Sequence, residues 1–127
     1  MERWNNIKNI QRIVHNKNII EMKVIYNSLI PFKGFSAINL FGVVFARKEY
    51  KELSQRILNH EAIHTAQMKE LVYIGFYVWY LAEWLIKLCR YGQKAYENIS
   101  FEHEAYTYQY DYTYLDRRKH FAWWRRV

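Results

Sequence analysis

The first segment of the chain spaces its apolar positions with the period of a helix. In residues 4–14, apolar side chains recur every three or four residues, at Trp4, Ile7, Ile10 and Val14. Because residues three and four apart lie on one face of a helix, this spacing predicts a short N-terminal helix.

Two segments that follow are rich in β-branched and aromatic residues. They are residues 22–30 (MKVIYNSLI) and residues 38–46 (INLFGVVFA), and this composition predicts two strands. The stretch between them carries Pro31 and Gly34, which are suitable turn residues. The simplest prediction is therefore an antiparallel hairpin.

From Ser54 onward the pattern becomes helical. Ser54 is a suitable N-cap, and no glycine or proline follows until Gly75. Residues 71–88 are apolar on nearly every face, but the apolar run is shorter than a bilayer core, so we expect a helix buried against the preceding one. A break is predicted around Tyr91–Gly92, and Ser100 is the predicted N-cap of a last helix.

Composition and cysteine content limit the classes of protein to which the chain can belong. The chain has 127 residues with 51% hydrophobic and 24% charged residues, which predicts a single globular domain over residues 1–127. The predicted strands followed by helices make its expected class α+β. Cys89 is the only cysteine, which excludes an intrachain disulfide and fits a reducing compartment. Without a secretory signal pattern at the N-terminus, the expected location is cytoplasmic, with membrane association left open.

Residues 60–64 carry the clearest candidate chemistry, His60-Glu61-Ala62-Ile63-His64. This is H-E-x-x-H inside a predicted helix, where positions i and i+4 place two imidazoles on one face, able to bind one metal ion. Glu61 lies about 100° round the helix, within reach of a water on that metal without being a ligand. The pattern predicts His60 and His64 as metal ligands and Glu61 as a general base.

A catalytic zinc site takes a third protein ligand and keeps a fourth position open. The segment around Glu102, His103 and Glu104 opens the last predicted helix, and all three side chains are able to bind a metal. The residues alone leave this choice open.

An H-E-x-x-H motif followed by Glu-x-Glu-Ala on a later helix resembles the gluzincin metallopeptidases. Within them it is most similar to the group of the CAAX-prenyl endopeptidases and the membrane heat-shock protease, and in size to the minigluzincins. The resemblance implies a zincin-like fold, a Zn²⁺ cofactor and Glu102 as the third ligand, with Glu104 as the alternative. Residues 38–45 also resemble the strand that edges the gluzincin cleft, where an extended peptide substrate pairs.

The resemblance breaks at Tyr106, where that group has an aspartate that supports a zinc-binding histidine. Tyr106 keeps a hydrogen-bonding hydroxyl but carries no charge. Tyr106 and His103 are the foremost candidates to stabilise an oxyanion or a ligand, and nothing selects between them and the further candidates Tyr108 and Tyr110.

The resulting hypothesis is a zinc-dependent metallopeptidase that hydrolyses a peptide or protein substrate. The alternative is a catalytically weak or inactive zinc-binding domain that serves as a protein- or membrane-interaction module.

The C-terminal sequence RRKHFAWWRRV is a candidate binding surface separate from the predicted metal site. The net charge is +7, and aromatic plus cationic composition suits an anionic membrane surface. The expectation we favour is that the aromatic side chains dock on the core while the cations face water. No specific nucleic-acid partner is expected.

Overall fold

The computed structural model describes residues 10–14 and 19–127, which form a four-stranded sheet followed by helices. This α+β class agrees with the prediction. The strands are β1 (Ile10–Val14), β2 (Ile19–Asn27), β3 (Ala37–Leu40) and β4 (Val43–Arg47). The α-helices are α1 (Gln55–Glu70), α2 (Ile74–Tyr91), α3 (Ser100–Tyr108) and α4 (Tyr114–Arg117). Short 3₁₀ helices cover Lys48–Tyr50, Gly92–Lys94, Tyr96–Asn98 and Ala122–Arg126.

The sheet is mixed, in the order β1-β2-β4-β3. β2 pairs parallel with β4, so the predicted antiparallel hairpin between residues 22–30 and 38–46 is wrong. Residues 38–46 instead contain a hairpin of their own, because Phe41 and Gly42 both adopt positive φ and reverse the chain between β3 and β4. Tertiary contacts hold this turn: the Asn39 side chain accepts from Gly42 N–H, and the Tyr77 hydroxyl accepts from Phe41 N–H, each at 2.9 Å.

The segment predicted as an N-terminal helix is a strand where the structure describes it. Ile10–Val14 pairs antiparallel with β2, with Ile10 opposite Lys23, so the helix prediction is wrong for residues 10–14. Its residues 4–9 lie outside the described part of the chain. Three of the five strand residues are β-branched and favour a pleated, paired backbone, which outweighs the apolar spacing.

One face of the sheet packs on α1. The shared core joins side chains from β2 and β4 to side chains from α1 and the segment before it: Met22, Val24, Val44, Ala46, Leu53, Leu58 and Ala62. The predicted N-cap is confirmed, since Ser54 Oγ accepts from Ile57 N–H at 3.3 Å. The fold therefore fixes α1 on the sheet with one of its turns beside the end of β3, where the Asn39 amide donates to the Glu61 carbonyl at 2.9 Å.

Helix α2 ends at Tyr91, as predicted, but it is not the buried helix that the sequence suggested. Of its side chains only Phe76 and Glu83 are buried, and much of its apolar surface is exposed. Among the described residues no single helix is long and apolar enough to span a membrane. Gln55–Glu70 and Ile74–Lys94 together meet the length and composition required, but they are bent by 107°.

The start of α3 is capped from α2 rather than by its own first serine. Ile99 occupies the N-cap position and Ser100 is the first helical residue, so the prediction of Ser100 as N-cap is wrong by one residue. The Glu83 carboxylate accepts from Ser100 N–H at 2.7 Å and from Ser100 Oγ at 2.6 Å, and Trp79 Nε1 donates to it at 3.1 Å. A carboxylate at a helix N-terminus satisfies a free N–H group and interacts favourably with the helix dipole.

The C-terminal segment packs against α2 and α3. Trp123 is buried and its ring contacts those of Phe101 and Trp79, so one aromatic side chain docks on the core as expected. Trp124 and Phe121 remain exposed, which differs from the expectation.

Replacing Glu83 tests this cap. We expect Glu83→Ala to lower the free energy of unfolding by about 2–3 kcal/mol, because a buried Ser100 N–H loses a charged acceptor. Urea denaturation measures the change, and Glu97→Ala, at an exposed glutamate, is the matched control. Equal stability of the two variants would show that Glu83 contributes nothing as a cap.

Candidate metal centre

Three buried side chains from two helices converge on one point. His60 and His64 lie one turn apart on α1, and Glu102 comes from the first turn of α3. Glu102 Oε1 lies 3.2 Å from His60 Nε2 and 3.0 Å from His64 Nε2, and the two Nε2 atoms are 3.1 Å apart. Such a His-His-Glu group is able to hold a metal ion.

These separations fit a tetrahedral metal. With bonds of roughly 2.0–2.1 Å from metal to nitrogen or oxygen, two ligand atoms of a tetrahedron lie about 3.3 Å apart. The three observed distances are within a few tenths of an ångström of that edge. The side chains thus form one face of a tetrahedron with a fourth corner left for another ligand.

The outer nitrogens of both imidazoles are held by glutamine side chains. His60 Nδ1 lies 3.0 Å from Gln109 Oε1, and His64 Nδ1 lies 2.8 Å from Gln67 Oε1. An amide oxygen only accepts, so each Nδ1 carries the proton and directs the other nitrogen toward Glu102. Two Nε2 atoms and a carboxylate oxygen share this space favourably only around a cation, either a proton or a metal ion.

The electrostatics of the three groups agree with that requirement. Burial by itself would lower the pKa of His64, but the charge and hydrogen bond of Glu102, with the charge of Glu61, together raise it to about 9. Burial would raise the pKa of Glu102, but the two histidines hold it well below its usual range. Since a metal and a proton compete for the same lone pair, metal binding at this site releases a proton.

Glu61 lies beside the three converging groups with an unused oxygen. Its side chain is buried, and its Oε2 has no hydrogen-bond partner among the described residues. Burial raises the pKa of Glu61, while the nearby His64 and His60 lower it. Its placement is fixed through the backbone, because the Asn39 amide ties the Glu61 carbonyl and the Thr65 hydroxyl to β3.

A cavity of about 380 Å³ opens beside this centre. Glu61, His64 and Glu102 are part of its lining. The remaining wall is mostly apolar and comes from the segment before β3, from β3 and from the helices: Pro31, Phe32, Phe35, Ala37, Ile38, Asn39, Met68, Phe76, Tyr77, Tyr80 and Tyr96. The cleft therefore combines these three ionisable groups with a mostly apolar wall.

Three residues that hold the site, Tyr80, Gln67 and Gln109, are not among those predicted from the sequence. The Tyr80 hydroxyl donates to Glu102 Oε2 at 2.9 Å, and burial together with Glu102 raises the pKa of Tyr80, so the hydroxyl keeps its proton. Gln67 and Gln109 support the histidines. Gln67 could have been found, because it lies three residues after His64 on the same helix. Tyr80 and Gln109 give no such signal, since only the tertiary fold brings them to the ligands.

Of the two predicted supporting residues, Tyr106 lies beside a ligand and His103 does not. Tyr106 packs edge-on against the His60 ring at 4.5 Å between centroids, and its hydroxyl lies 3.3 Å from that of Tyr96. His103 is directed away from the three ligands: its Nδ1 contacts Arg126 Nη1 at 2.6 Å, and it lines a separate, basic cavity. The role of supporting a histidine, which the resemblance assigned to the Tyr106 position, falls to Gln109 instead.

Glu104, the alternative third ligand, is not brought to the histidines. It is fully buried and accepts from Arg118 at 2.5 Å and from the Tyr114 hydroxyl at 2.7 Å. It also accepts from Gln67 Nε2 at 3.0 Å, which fixes the orientation of the amide that holds His64. Glu104 thus acts on the site through Gln67.

Comparison with known proteins identifies no relative of this chain: no family model, no curated protein and no solved structure gives a significant match. The geometry of the centre is therefore the basis for any statement about its chemistry.

Metal analysis of purified variants tests the ligand set. We expect His64→Ala and Glu102→Gln to lose the metal, because each removes one of three ligands. Glu104→Gln should retain it while losing about 1–3 kcal/mol of stability, because Arg118 then loses one of its two buried carboxylate partners and keeps only Glu70. Metal loss in Glu104→Gln alone would reassign the third ligand.

Gln67→Ala probes the support of His64. Removing an outer partner of a ligand commonly weakens metal affinity about 10–100-fold, and we expect a loss in that range. Competition with a chelating dye measures it. Gln93→Ala, at an exposed glutamine outside the site, should bind metal as tightly as the unmodified chain.

Proposed function

We propose that the chain is a zinc-dependent metallopeptidase. The observation that carries this proposal is the placement of Glu61, a buried carboxylate whose Oε2 has no hydrogen-bond partner in the described part of the chain, next to three convergent ligand atoms beside a cleft. A purely structural metal site closes all four positions with protein ligands, whereas this group supplies three.

Zinc suits the donor set of His60, His64 and Glu102, since two imidazoles and one carboxylate form a common catalytic zinc site. When bound, zinc supplies Lewis-acid chemistry: it polarises a substrate carbonyl and lowers the pKa of a coordinated water toward about 7. Tyr80, Gln67 and Gln109 hold the three ligands in position for it.

Glu61 is the proposed general base. Burial raises its pKa, which makes its carboxylate a better proton acceptor than an exposed one. It would take the proton of the attacking water and deliver it to the leaving amine of the cleaved peptide bond. Both steps use the oxygen that has no other partner among the described residues.

The negative charge that develops on the carbonyl oxygen needs a hydrogen-bond donor. We assign this role to the hydroxyl pair of Tyr96 and Tyr106, of which Tyr96 lines the cleft. Partial burial, followed by the charge of Glu102, raises the pKa of Tyr96, so its hydroxyl remains a donor at neutral pH.

The substrate we propose is an extended peptide lying along β3. β3 is an edge strand of the described sheet and contributes Ile38 and Asn39 to the cleft wall. An exposed edge offers main-chain hydrogen bonds to an added strand, and the apolar walls suit a hydrophobic side chain. The order of edge strand, H-E-x-x-H helix and later glutamate helix supports a zincin-like fold.

Glu61→Gln separates catalysis from metal binding. We expect cleavage of a peptide library to fall by at least about 10²–10⁴-fold, because the amide cannot accept the proton, while metal content stays at one ion per chain. Mass spectrometry of the digested library and metal analysis give the two readouts. Glu52→Gln, at an exposed glutamate, serves as the matched control.

Two outcomes would contradict the proposal. If the unmodified chain binds zinc but cleaves no peptide, the interaction-module alternative replaces it. If Glu61→Gln cleaves as fast as the unmodified chain, the observed activity does not use this site.

A further inference from the structure

Helix α2 presents a continuous exposed face made only of apolar side chains. The large members of this face are 41–70% exposed and recur four and three residues apart: Ile74, Val78, Leu81, Leu85 and Leu88. Exposed Ala82 and Cys89 widen it on one side. We call these seven residues the α2 apolar face.

No charge interrupts this face. Between Ile74 and Cys89 the charged residues are Glu83 and Lys87, and both turn toward the protein. Glu83 is buried under α3, and Lys87 lies 3.7 Å from its carboxylate with a side chain 13% exposed. A helix of a soluble domain normally places its charges on the outside, so the arrangement here is reversed.

Exposed cations lie near both ends of α2 and on the neighbouring C-terminal segment. Exposed Lys69 precedes the helix, and exposed Arg90 and Lys94 stand at its end. Beside it runs the C-terminal segment, where Trp124 contacts the Trp79 ring at 5.6 Å and is 59% exposed, next to exposed Arg125. An apolar face with flanking cations and a half-exposed tryptophan is the composition of a helix that lies in a membrane interface.

A second copy of the chain fits this face less well than a lipid surface does. Two helices pair through a narrow apolar stripe, or seam, and the charged residues on either side of it determine which helix is bound. Here the positions that border the α2 apolar face are Tyr77 on one side and Ile86 on the other, so the apolar area is wider than a seam and carries no pairing charges. The net charge of +7 also repels a second copy, whereas it attracts anionic headgroups.

We propose that α2 lies in the headgroup region of an anionic bilayer, with the α2 apolar face toward the acyl chains. The same helix lines the cleft with Phe76, Tyr77 and Tyr80. The opposite wall of the cleft exposes Phe32 and Phe35. Docking of α2 therefore holds the cleft about one helix diameter from the membrane surface, because the cleft lies against the other side of the same helix. This inference stands on the surface of α2 and does not depend on catalysis.

Vesicle co-sedimentation of the full chain tests the proposal. We expect binding to vesicles of equal parts phosphatidylcholine and phosphatidylglycerol, weaker binding to phosphatidylcholine alone, and weaker binding at high salt. The double variant Leu81→Gln/Leu85→Gln should bind the mixed vesicles about 100-fold more weakly, because two large side chains no longer favour the apolar phase. Ile10→Gln, which changes an exposed apolar residue of β1, should bind unchanged.

The single cysteine gives a second readout without altering the fold. Cys89 belongs to the α2 apolar face and is exposed, so an environment-sensitive fluorophore attached there should shift to the blue and resist iodide quenching when mixed vesicles are added. The same label in Cys89→Ser/Lys23→Cys, on the exposed side of β2, should not respond.

The proposal is overturned if the double variant binds vesicles like the unmodified chain, or if the Cys89 label stays accessible to iodide on vesicles. It is equally overturned if the unmodified chain ignores vesicles but forms a dimer, measured by light scattering, that the double variant loses. That last result would assign the face to a second copy.

Discussion

The structure depends on the approach of Glu102 to His60 and His64, with three potential ligand atoms within 3.2 Å of one another. When two imidazole nitrogens and a carboxylate oxygen are buried together, their lone pairs repel one another and the carboxylate loses its hydration. A cation between them offsets both costs. The fold holds them in place with neutral donors and acceptors, Tyr80 on the carboxylate and a glutamine on each imidazole. The site is thus organised for one bound cation.

Buried carboxylates join the helices that carry this site. Glu83 of α2 caps α3, and therefore sets the position of the turn from which Glu102 projects. Glu104 of α3 binds Arg118 from the C-terminal segment and Gln67 from α1. Because each carboxylate is satisfied by groups from other elements, a change in one helix would be transmitted to the ligands of another.

Helix α2 has two different sides. Its inner side supplies Tyr80 to the ligands, Phe76 to the cleft and Glu83 to the cap, whereas its outer side is an uninterrupted apolar surface. A membrane on that surface would place hydrophobic or membrane-bound peptides next to the cleft. Substrate access and membrane docking would then depend on the same element.

The sequence by itself determined the α+β class, the start of α1 at Ser54, the break after Tyr91 and the placement of His60, Glu61 and His64 on one helix, because these follow from local spacing and capping. It could not determine the sheet, since the Phe41–Gly42 turn is held by Asn39 and by Tyr77 from a distant helix. Whether Glu102 or Glu104 faces the histidines was likewise decided only in the tertiary structure: residues two apart on a helix point about 200° apart, and the docking of α3 on Glu83 selects which one turns inward. The same docking buries Glu83 and draws Lys87 toward it, which leaves the apolar face of α2 outside. A segment that is apolar on nearly every side does not encode this orientation.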